Sequence, residues 1–195
     1  MVLPESKNQL NLFGYEKLFN SFVKFFQKNC LPNVILLSGP KGLGKATFAY
    51  HFINYLLTQN EENKYLINEF KINPNNQSYK LINNNVHSNF FLLDNEINEE
   101  IKIEKTRNLI KFLNKSTDSK NLKLILIDNS EYLNLNSSNA LLKSLEEPSR
   151  NTFFFIIHND SSPLVNTIKS RSVKFKIHFT NSEKKVVLKK ILQDA

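Results

Sequence analysis

The run Ser38-Gly39-Pro40-Lys41-Gly42-Leu43-Gly44-Lys45-Ala46-Thr47 has the residue types and spacing to bind a phosphate. It follows the apolar stretch Val34-Ile35-Leu36-Leu37 and opens a stretch with helical periodicity. Strand, glycine loop and helix in that order make a phosphate-binding loop. Glycines let the backbone curl so that successive N–H groups point at an anion. The helix N-terminus adds partial positive charge and Lys45 adds a full one. The pattern departs from G-x-x-x-x-G-K-[ST] at one position, because Ala46 stands where a hydroxyl would hold Mg²⁺. An active ATPase would need Thr47 or a water to replace that ligand. A second stretch, Leu124-Ile125-Leu126-Ile127-Asp128, is a dry strand ending in a carboxylate, which is how an acid is held near a nucleotide-bound metal. The next residue is Asn129, where P-loop ATPases place a Glu to polarise the attacking water. An amide can position a water but cannot take its proton. Glu131 lies two residues further on and is no evident substitute. Ala46 and Asn129 thus remove metal or water chemistry, while Lys45 and the loop backbone keep phosphate recognition. Binding without efficient hydrolysis is the expectation.

These groups need elements to hold them. Residues 1–14 read as an extended lead-in. Over 15–29 the spacing predicts a helix with Leu18, Phe19, Phe22, Phe25 and Phe26 inward, broken by Leu31-Pro32. A buried strand over 33–38 leads into the loop. After it, Phe48, Ala49, Phe52, Ile53, Leu56 and Leu57 share one helical face, which leaves His51 on the surface. Residues 60–88 are rich in Asn and read as loop, with a short helix around 65–70. Strands follow at 90–94, 122–128, 152–157 and 173–179. The last of these alternates Val173, Phe175, Ile177 and Phe179 with polar residues, as a strand with one wet face does. Between the strands lie a helix over 103–113 with Ile103, Ile110 and Leu113 inward, and a polar loop over 116–121. A second helix covers 130–147, in two pieces around 134–137, and a short turn covers 164–170. Thr180 and Glu183 have capping-box spacing and start a final helix. Strands alternating with helices predict an α/β fold with a central, mainly parallel five-stranded sheet flanked by helices.

Composition narrows the partners. The chain of 195 residues carries a formal charge of +8, which suits an acidic partner such as nucleic acid. Lys, Asn, Ile and Phe are all abundant, as AT-rich codon usage also produces, so charge alone leaves that partner open. The single Cys30 excludes an internal disulfide framework and a four-cysteine zinc site, and it fits a reducing cytoplasm. No apolar run approaches the ~20 residues of a membrane span. The opening Met1-Val2-Leu3-Pro4-Glu5 lacks the basic-then-apolar plan of a signal peptide, so the expected location is cytoplasmic, without membrane contact.

Three further stretches carry a family resemblance. They are Asn139-Ala140-Leu141-Leu142-Lys143-Ser144-Leu145-Glu146-Glu147-Pro148, Thr152-Phe153-Phe154-Phe155-Ile156-Ile157, and Thr167-Ile168-Lys169-Ser170-Arg171-Ser172. With Leu36-Leu37-Ser38-Gly39-Pro40 they resemble the clamp-loader branch of the AAA+ ATPases, from about Phe13 onward. Within that branch the likeness is to the delta-prime family of bacterial DNA polymerase III. The related gamma/tau subunits normally keep a zinc-binding cysteine set and an acidic pair after the second strand motif, and this chain has neither. The resemblance implies an AAA+ P-loop NTPase domain over 1–179 and the first helix of a lid over 180–195, with the rest of the lid and a collar domain following in the family. It implies nucleotide contacts at Gly39, Gly42, Gly44, Lys45, Ala46, Thr47, Asp128 and Asn159. Asn159 falls at the family's first sensor, and a one-residue slip would put His158 there instead. ATP or ADP would be held weakly or statically, with Mg²⁺ left open by Ala46 and no zinc. Arg171 matches the family arginine that reaches the ATP of a neighbouring subunit, and Ser172 replaces the family cysteine after it. A guanidinium offers fixed donors and a permanent charge to phosphate oxygens. The implied partners are gamma/tau and delta-type AAA+ subunits, the sliding clamp, and primer-template DNA reached through the complex. The alternative is an active ATPase of the gamma/tau type. A small kinase is disfavoured, since a monomeric kinase has no need of the 139–148 stretch or of Ser170-Arg171.

Overall fold

A computed structural model describes residues 4–95, 99–115 and 122–194. In chain order its elements are α1 (Glu16–Gln27), β1 (Val34–Gly39), α2 (Lys45–Leu57), α3 (Gln77–Asn83), β2 (Phe90–Leu93), α4 (Ile103–Asn114), β3 (Lys123–Ile127), α5 (Leu135–Glu146), β4 (Thr152–Asn159), α6 (Asn166–Lys169), β5 (Val173–Lys176) and α7 (Asn181–Asp194). Short 3₁₀ turns sit at Thr58–Asn60 and Ser130–Tyr132. The expected polar loop over 116–121 lies outside the described residues. The chain divides into two compact units. One comprises Pro32–Gly42 and Ser88–Ile177, and the other takes the residues up to Leu31, Leu43–His87 and those from His178 on.

The first unit holds the sheet. Its five strands run in the order β2-β3-β4-β1-β5, and every pair is parallel. This is the sheet that the alternation of strands and helices predicts. Strands β1 and β3 are buried at every position, as expected of central strands with no wet face. One sheet face packs Val34, Leu36, Ile125, Ile127, Phe154 and Ile156 against Leu109 of α4, Leu141 and Leu145 of α5, and Ile168 of α6. The inward face of α4 is Thr106 and Leu109, with Phe112 and Leu113 packed beside the core. Ile103 and Ile110 are half-buried, so the predicted face was rotated. Strand β5 is mostly exposed: Val173 lies out, and Ile177 is the buried member of that run. Exposed Lys174 and Lys176 blunt this sheet edge. Residues 130–147 form two pieces, as predicted, because the Asn134 side chain caps α5 by accepting the Ser137 N–H at 2.8 Å.

The second unit is built on aromatic rings. Phe22 of α1 meets Phe48 and Phe52 of α2 edge-on at 5.2 and 5.3 Å between centroids, and Phe19 stacks on Tyr65 at 5.1 Å. Phe25 is exposed and Val23 takes an inward place. The Asn-rich stretch is more ordered than its composition suggests. The helix expected around 65–70 is instead a turn closed by an antiparallel bridge between Leu66 and Lys71. A helix, α3, forms further on, where Asn76 caps it by accepting the Tyr79 N–H at 2.6 Å. The Asn54 and Asn76 amides exchange hydrogen bonds at 3.3 and 3.1 Å in the interior. The predicted capping box at α7 is present: the Thr180 N–H donates to Glu183 Oε2 at 2.7 Å and the Glu183 N–H to Thr180 Oγ1 at 3.3 Å. Among the described residues no helix is long and apolar enough to cross a membrane.

His51 is a correction. It is fully buried, not on the surface. Its Nε2–H donates to the Gln9 carbonyl at 3.0 Å, and its Nδ1 lies 2.9 Å from the Tyr65 hydroxyl. Helical spacing gave it no apolar face to join, but the 60–88 segment covers it from outside the helix. Burial lowers its pKa to about 4. The unfolded chain therefore binds a proton between pH ~6.5 and ~4 that the folded protein does not. Stability from this site is fully present above pH ~6.5 and falls as pH drops through that window, at up to about 1.4 kcal/mol per pH unit. Denaturant melts of wild type and His51→Gln across that range should show a steeper acid loss for wild type.

Candidate functional site

The phosphate loop begins where β1 ends. Gly39 pairs with Asn159 of β4, and the Asp160 N–H donates to the Gly39 carbonyl at 3.3 Å. On the other side the Ile177 N–H donates to the Ser38 carbonyl at 2.7 Å. A Cβ on Gly39 would sit 2.3 Å from the Ile177 carbonyl oxygen, so only glycine fits. Gly42 and Gly44 turn the loop with φ of +80° and +76°, a region that L side chains rarely adopt. Gly44 is the N-cap of α2, and Lys45 is the helix's first residue and is buried. The Tyr15 hydroxyl, itself buried, donates to the Leu43 carbonyl at 2.7 Å and braces the loop within its own unit. No acidic side chain lies in the first turn of α2 to compete with an anion. Ala46 and Thr47 are half-buried there.

The ends of the other strands gather polar groups. Asp94 follows β2 and Asp128 follows β3, joined by the Asp128 N–H donating to the Leu93 carbonyl at 3.0 Å. Asn129 adopts a left-handed backbone with φ of +53°. Its N–H donates to Asp128 Oδ1 at 2.9 Å. Its side-chain Nδ2 donates to Asp94 Oδ1 and to Asn95 Oδ1, both at 3.1 Å. Both hydrogens of that amide nitrogen are therefore committed to tying β2 to β3. Residue spacing assigns no role to Asp94 or Asn95, although Asp94 ends its strand as Asp128 does.

Glu131 is closer to the site than its sequence position suggested. Its Oε2 accepts the Asn159 N–H at 3.3 Å, which brings a carboxylate to the end of β4. The 3₁₀ turn after Asn129 folds it back there. His158 and Asn159 are differently occupied. The buried His158 ring donates from Nε2 to the Ser162 carbonyl at 3.0 Å and lies 3.2 Å from Ser38 Oγ through Nδ1. Asn159 Oδ1 accepts the Ser161 N–H at 3.2 Å, which shapes the turn after β4. Gly39, Asp94, Asp128, Asn129, Glu131 and Asn159 thus share the carboxyl edge of the sheet, where open α/β sheets bind ligands.

Arg171 is elsewhere. It lies two residues before Val173, which pairs with Ile35 near the start of β1. Arg171 is therefore at the amino edge of the sheet, away from the carboxyl edge where β1 gives way to the loop. Its Nε donates to Glu146 Oε1 at 2.7 Å, and Nη2 contacts the same oxygen. Nη1 donates to the Thr167 carbonyl at 2.9 Å and to Ser170 Oγ at 3.2 Å. The side chain keeps 27% of its surface exposed. Lys143, Glu146 and Glu147 lie on exposed positions of α5 and just beyond it.

Residues 14–181 match the family described as DNA polymerase III, delta subunit. The chain belongs to that family. It is 36% identical over 140 residues to DNA polymerase III subunit delta' of Pseudomonas aeruginosa, covering 71% of this chain and 41% of that one. Against the delta' subunit of Buchnera aphidicola from Acyrthosiphon pisum it is 26% identical, covering 87% of this chain and 50% of the relative. Subunit gamma from the same organism is 31% identical over 151 residues, with coverage of 76% and 39%. These matches support the delta-prime likeness read from the 139–148 stretch. The chain spans half or less of the length of these curated relatives. Two solved structures share its fold. A gamma subunit-related protein of Thermotoga maritima has a TM-score of 0.57 at 20% identity, covering 88% of this chain and 49% of that one. The RuvB Holliday junction branch migration motor of the same organism has a TM-score of 0.53 at 17% identity, with coverage of 98% and 56%. At this identity they support the AAA+ P-loop α/β fold alone.

The loop's dependence on Gly39 is measurable. Gly39→Ala should destabilise the protein by about 1–3 kcal/mol, as overpacking against immovable backbone does. Urea melts of the two proteins measure the difference.

Proposed function

We propose that this chain is a clamp-loader subunit of DNA replication that binds nucleotide statically and donates Arg171 to the ATP site of a neighbouring AAA+ subunit. One observation carries the reading: the two edges of a single sheet are equipped for different tasks. The carboxyl edge has the phosphate loop, but it has Ala46 in place of the metal-holding hydroxyl and an Asn129 amide tied up between Asp94 and Asn95. The amino edge presents a part-exposed guanidinium that sits away from the chain's own loop. Such an arginine suits a site on another chain, where fixed donors stabilise charge developing on a transferring phosphoryl group.

On this reading Lys45, Gly39, Gly42 and Gly44 bind the phosphates of ATP or ADP, with Thr47 near the lost metal ligand and Asp128 and Asn159 at the γ-phosphate end. Metal would be held poorly, since Ala46 offers no ligand. The partners would be gamma/tau and delta-type subunits in a cytoplasmic complex that loads the sliding clamp onto primer-template DNA. Residues 180–195 would be the first lid helix, entered through the Thr180–Glu183 capping box.

Two measurements test this. ATP turnover by the isolated protein should fall well below the ~1 s⁻¹ at the low end of ordinary enzymes. Turnover near that value, abolished by Lys45→Ala, would place hydrolysis in this chain's own loop instead. In a complex reconstituted with gamma/tau and delta-type subunits, Arg171→Ala should leave assembly and the melting curve intact. It should lower ATP turnover by at least about tenfold; fingers supplied in trans to GTPases contribute roughly 10³–10⁵. An unchanged rate would remove the trans role.

A further inference from the structure

We propose that Glu146 is the positioning residue for Arg171, holding the guanidinium ready for the neighbour's phosphate. The inference rests on Arg171 acting in trans, as above. Two observations on different elements lead to it.

The first is the geometry around the guanidinium. Glu146 Oε1 receives both Nε–H and Nη2–H, which grips one edge of the planar group. The Thr167 carbonyl and Ser170 Oγ take Nη1 from the α6 side. An arginine on the surface normally samples many rotamers, and ordering it on contact costs part of the interaction. Here the rotamer is set before any partner arrives. The side chain keeps 27% of its surface exposed, and these contacts leave one Nη2–H uncommitted, so a donor remains for a phosphate oxygen. Catalytic stabilisation depends on donors that need no reorganisation at the moment of reaction.

The second is a broken local rule. Helix α5 ends at Glu146, and Glu147 follows it. Carboxylates are unfavourable at a helix C-terminus, where the backbone already carries partial negative charge. Local rules broken without a stabilising gain point to function. The gain in stability here is small, because an exposed ion pair is worth about 0–1 kcal/mol. Glu146 is 49% exposed and its place in the fold demands no acid. Its direct partner across the chain is Arg171.

The reconstituted complex provides the test, with Glu146→Ala, Glu146→Gln, Arg171→Ala and the double variant measured for kcat and KM of ATP turnover. Glu146→Ala should lower kcat about three- to tenfold and leave KM for ATP unchanged, because the neighbour's own loop binds the nucleotide. Glu146→Gln should recover most of the rate, since its amide oxygen still accepts Nε–H and Nη2–H. The double variant should be no slower than Arg171→Ala, because Glu146 acts only through that arginine. In the full chain, the Arg171 Nε–H should give a slowly exchanging NMR signal that Glu146→Ala abolishes. A normal rate for Glu146→Ala beside a slow Arg171→Ala would overturn this inference and keep the trans role. A raised rate would show that the carboxylate withholds the arginine, and would overturn it too. Equal losses from Glu146→Ala with and without Arg171 would make the effect structural. A normal rate for Arg171→Ala would remove the trans role, and this inference with it.

Discussion

The carboxyl end of β1 has no room for a side chain, and the site depends on that. At Gly39 the backbones of three strands converge. Asn159 pairs with it from β4, and the Ile177 carbonyl oxygen approaches from beyond β5 to 2.3 Å of where a Cβ would be. This packing lets β1 lie between β4 and β5 and release the chain into the loop at a fixed place. The Asp160 N–H bound to the Gly39 carbonyl holds the turn after β4 beside that place. Because every strand is parallel, all the carboxyl ends face the same way, and Asp94, Asp128 and Asn159 come to one edge without further instruction.

What that edge can do follows from how its polar groups are committed. A glutamate in place of Asn129 would bring a third carboxylate beside Asp94 and Asp128, and like charges at that range raise one another's pKa. That is useful for a base and costly otherwise. The amide removes the conflict and instead donates to Asp94 and Asn95. It thereby serves as a clasp between β2 and β3. Glu131 restores a negative charge to the edge, but its Oε2 is bound to the Asn159 N–H. The loop retains its backbone cradle and Lys45. Phosphate affinity and hydrolytic competence are physically separable, so on the proposed reading the first can persist without the second.

Periodicity made most of this legible from the sequence. The strands at 33–38, 90–94, 122–128 and 152–157 and the helices α2, α4 and α5 needed only local signals, and so did the capping box at Thr180. What escaped was long-range or depended on covering segments. His51 looked exposed on a helical wheel and is buried because residues Gln9 and Tyr65 close over it. Asn-rich composition argued for loop, yet Asn76 both caps α3 and pairs with Asn54, twenty-two residues away. Amides are common in loops because they satisfy backbone groups, and that same ability lets them build interiors. The Glu131 contact with Asn159 and the Glu146 contact with Arg171 escape the sequence for a related reason. Spacing along a helix says where a side chain starts, while a folded partner decides where its carboxylate ends.

The parallel α/β topology also keeps apart the two edges to which the proposed reading gives different tasks. A helix that follows a parallel strand must return antiparallel to it before the next strand begins. Helix α5 therefore starts just past Asp128 and Asn129 at the carboxyl edge and ends at Glu146, beside Arg171, at the amino edge. On the proposed reading, with a phosphate loop at one edge and an arginine at the other, a site completed by a neighbour takes one edge from each chain. Changes at Ala46 and Asn129 touch the first edge alone. Sites that share no partners have nearly independent free energies. On the proposed reading, selection on hydrolysis in this loop could lapse while the Glu146–Arg171 pair stayed under constraint, because the chemistry it serves belongs to another chain.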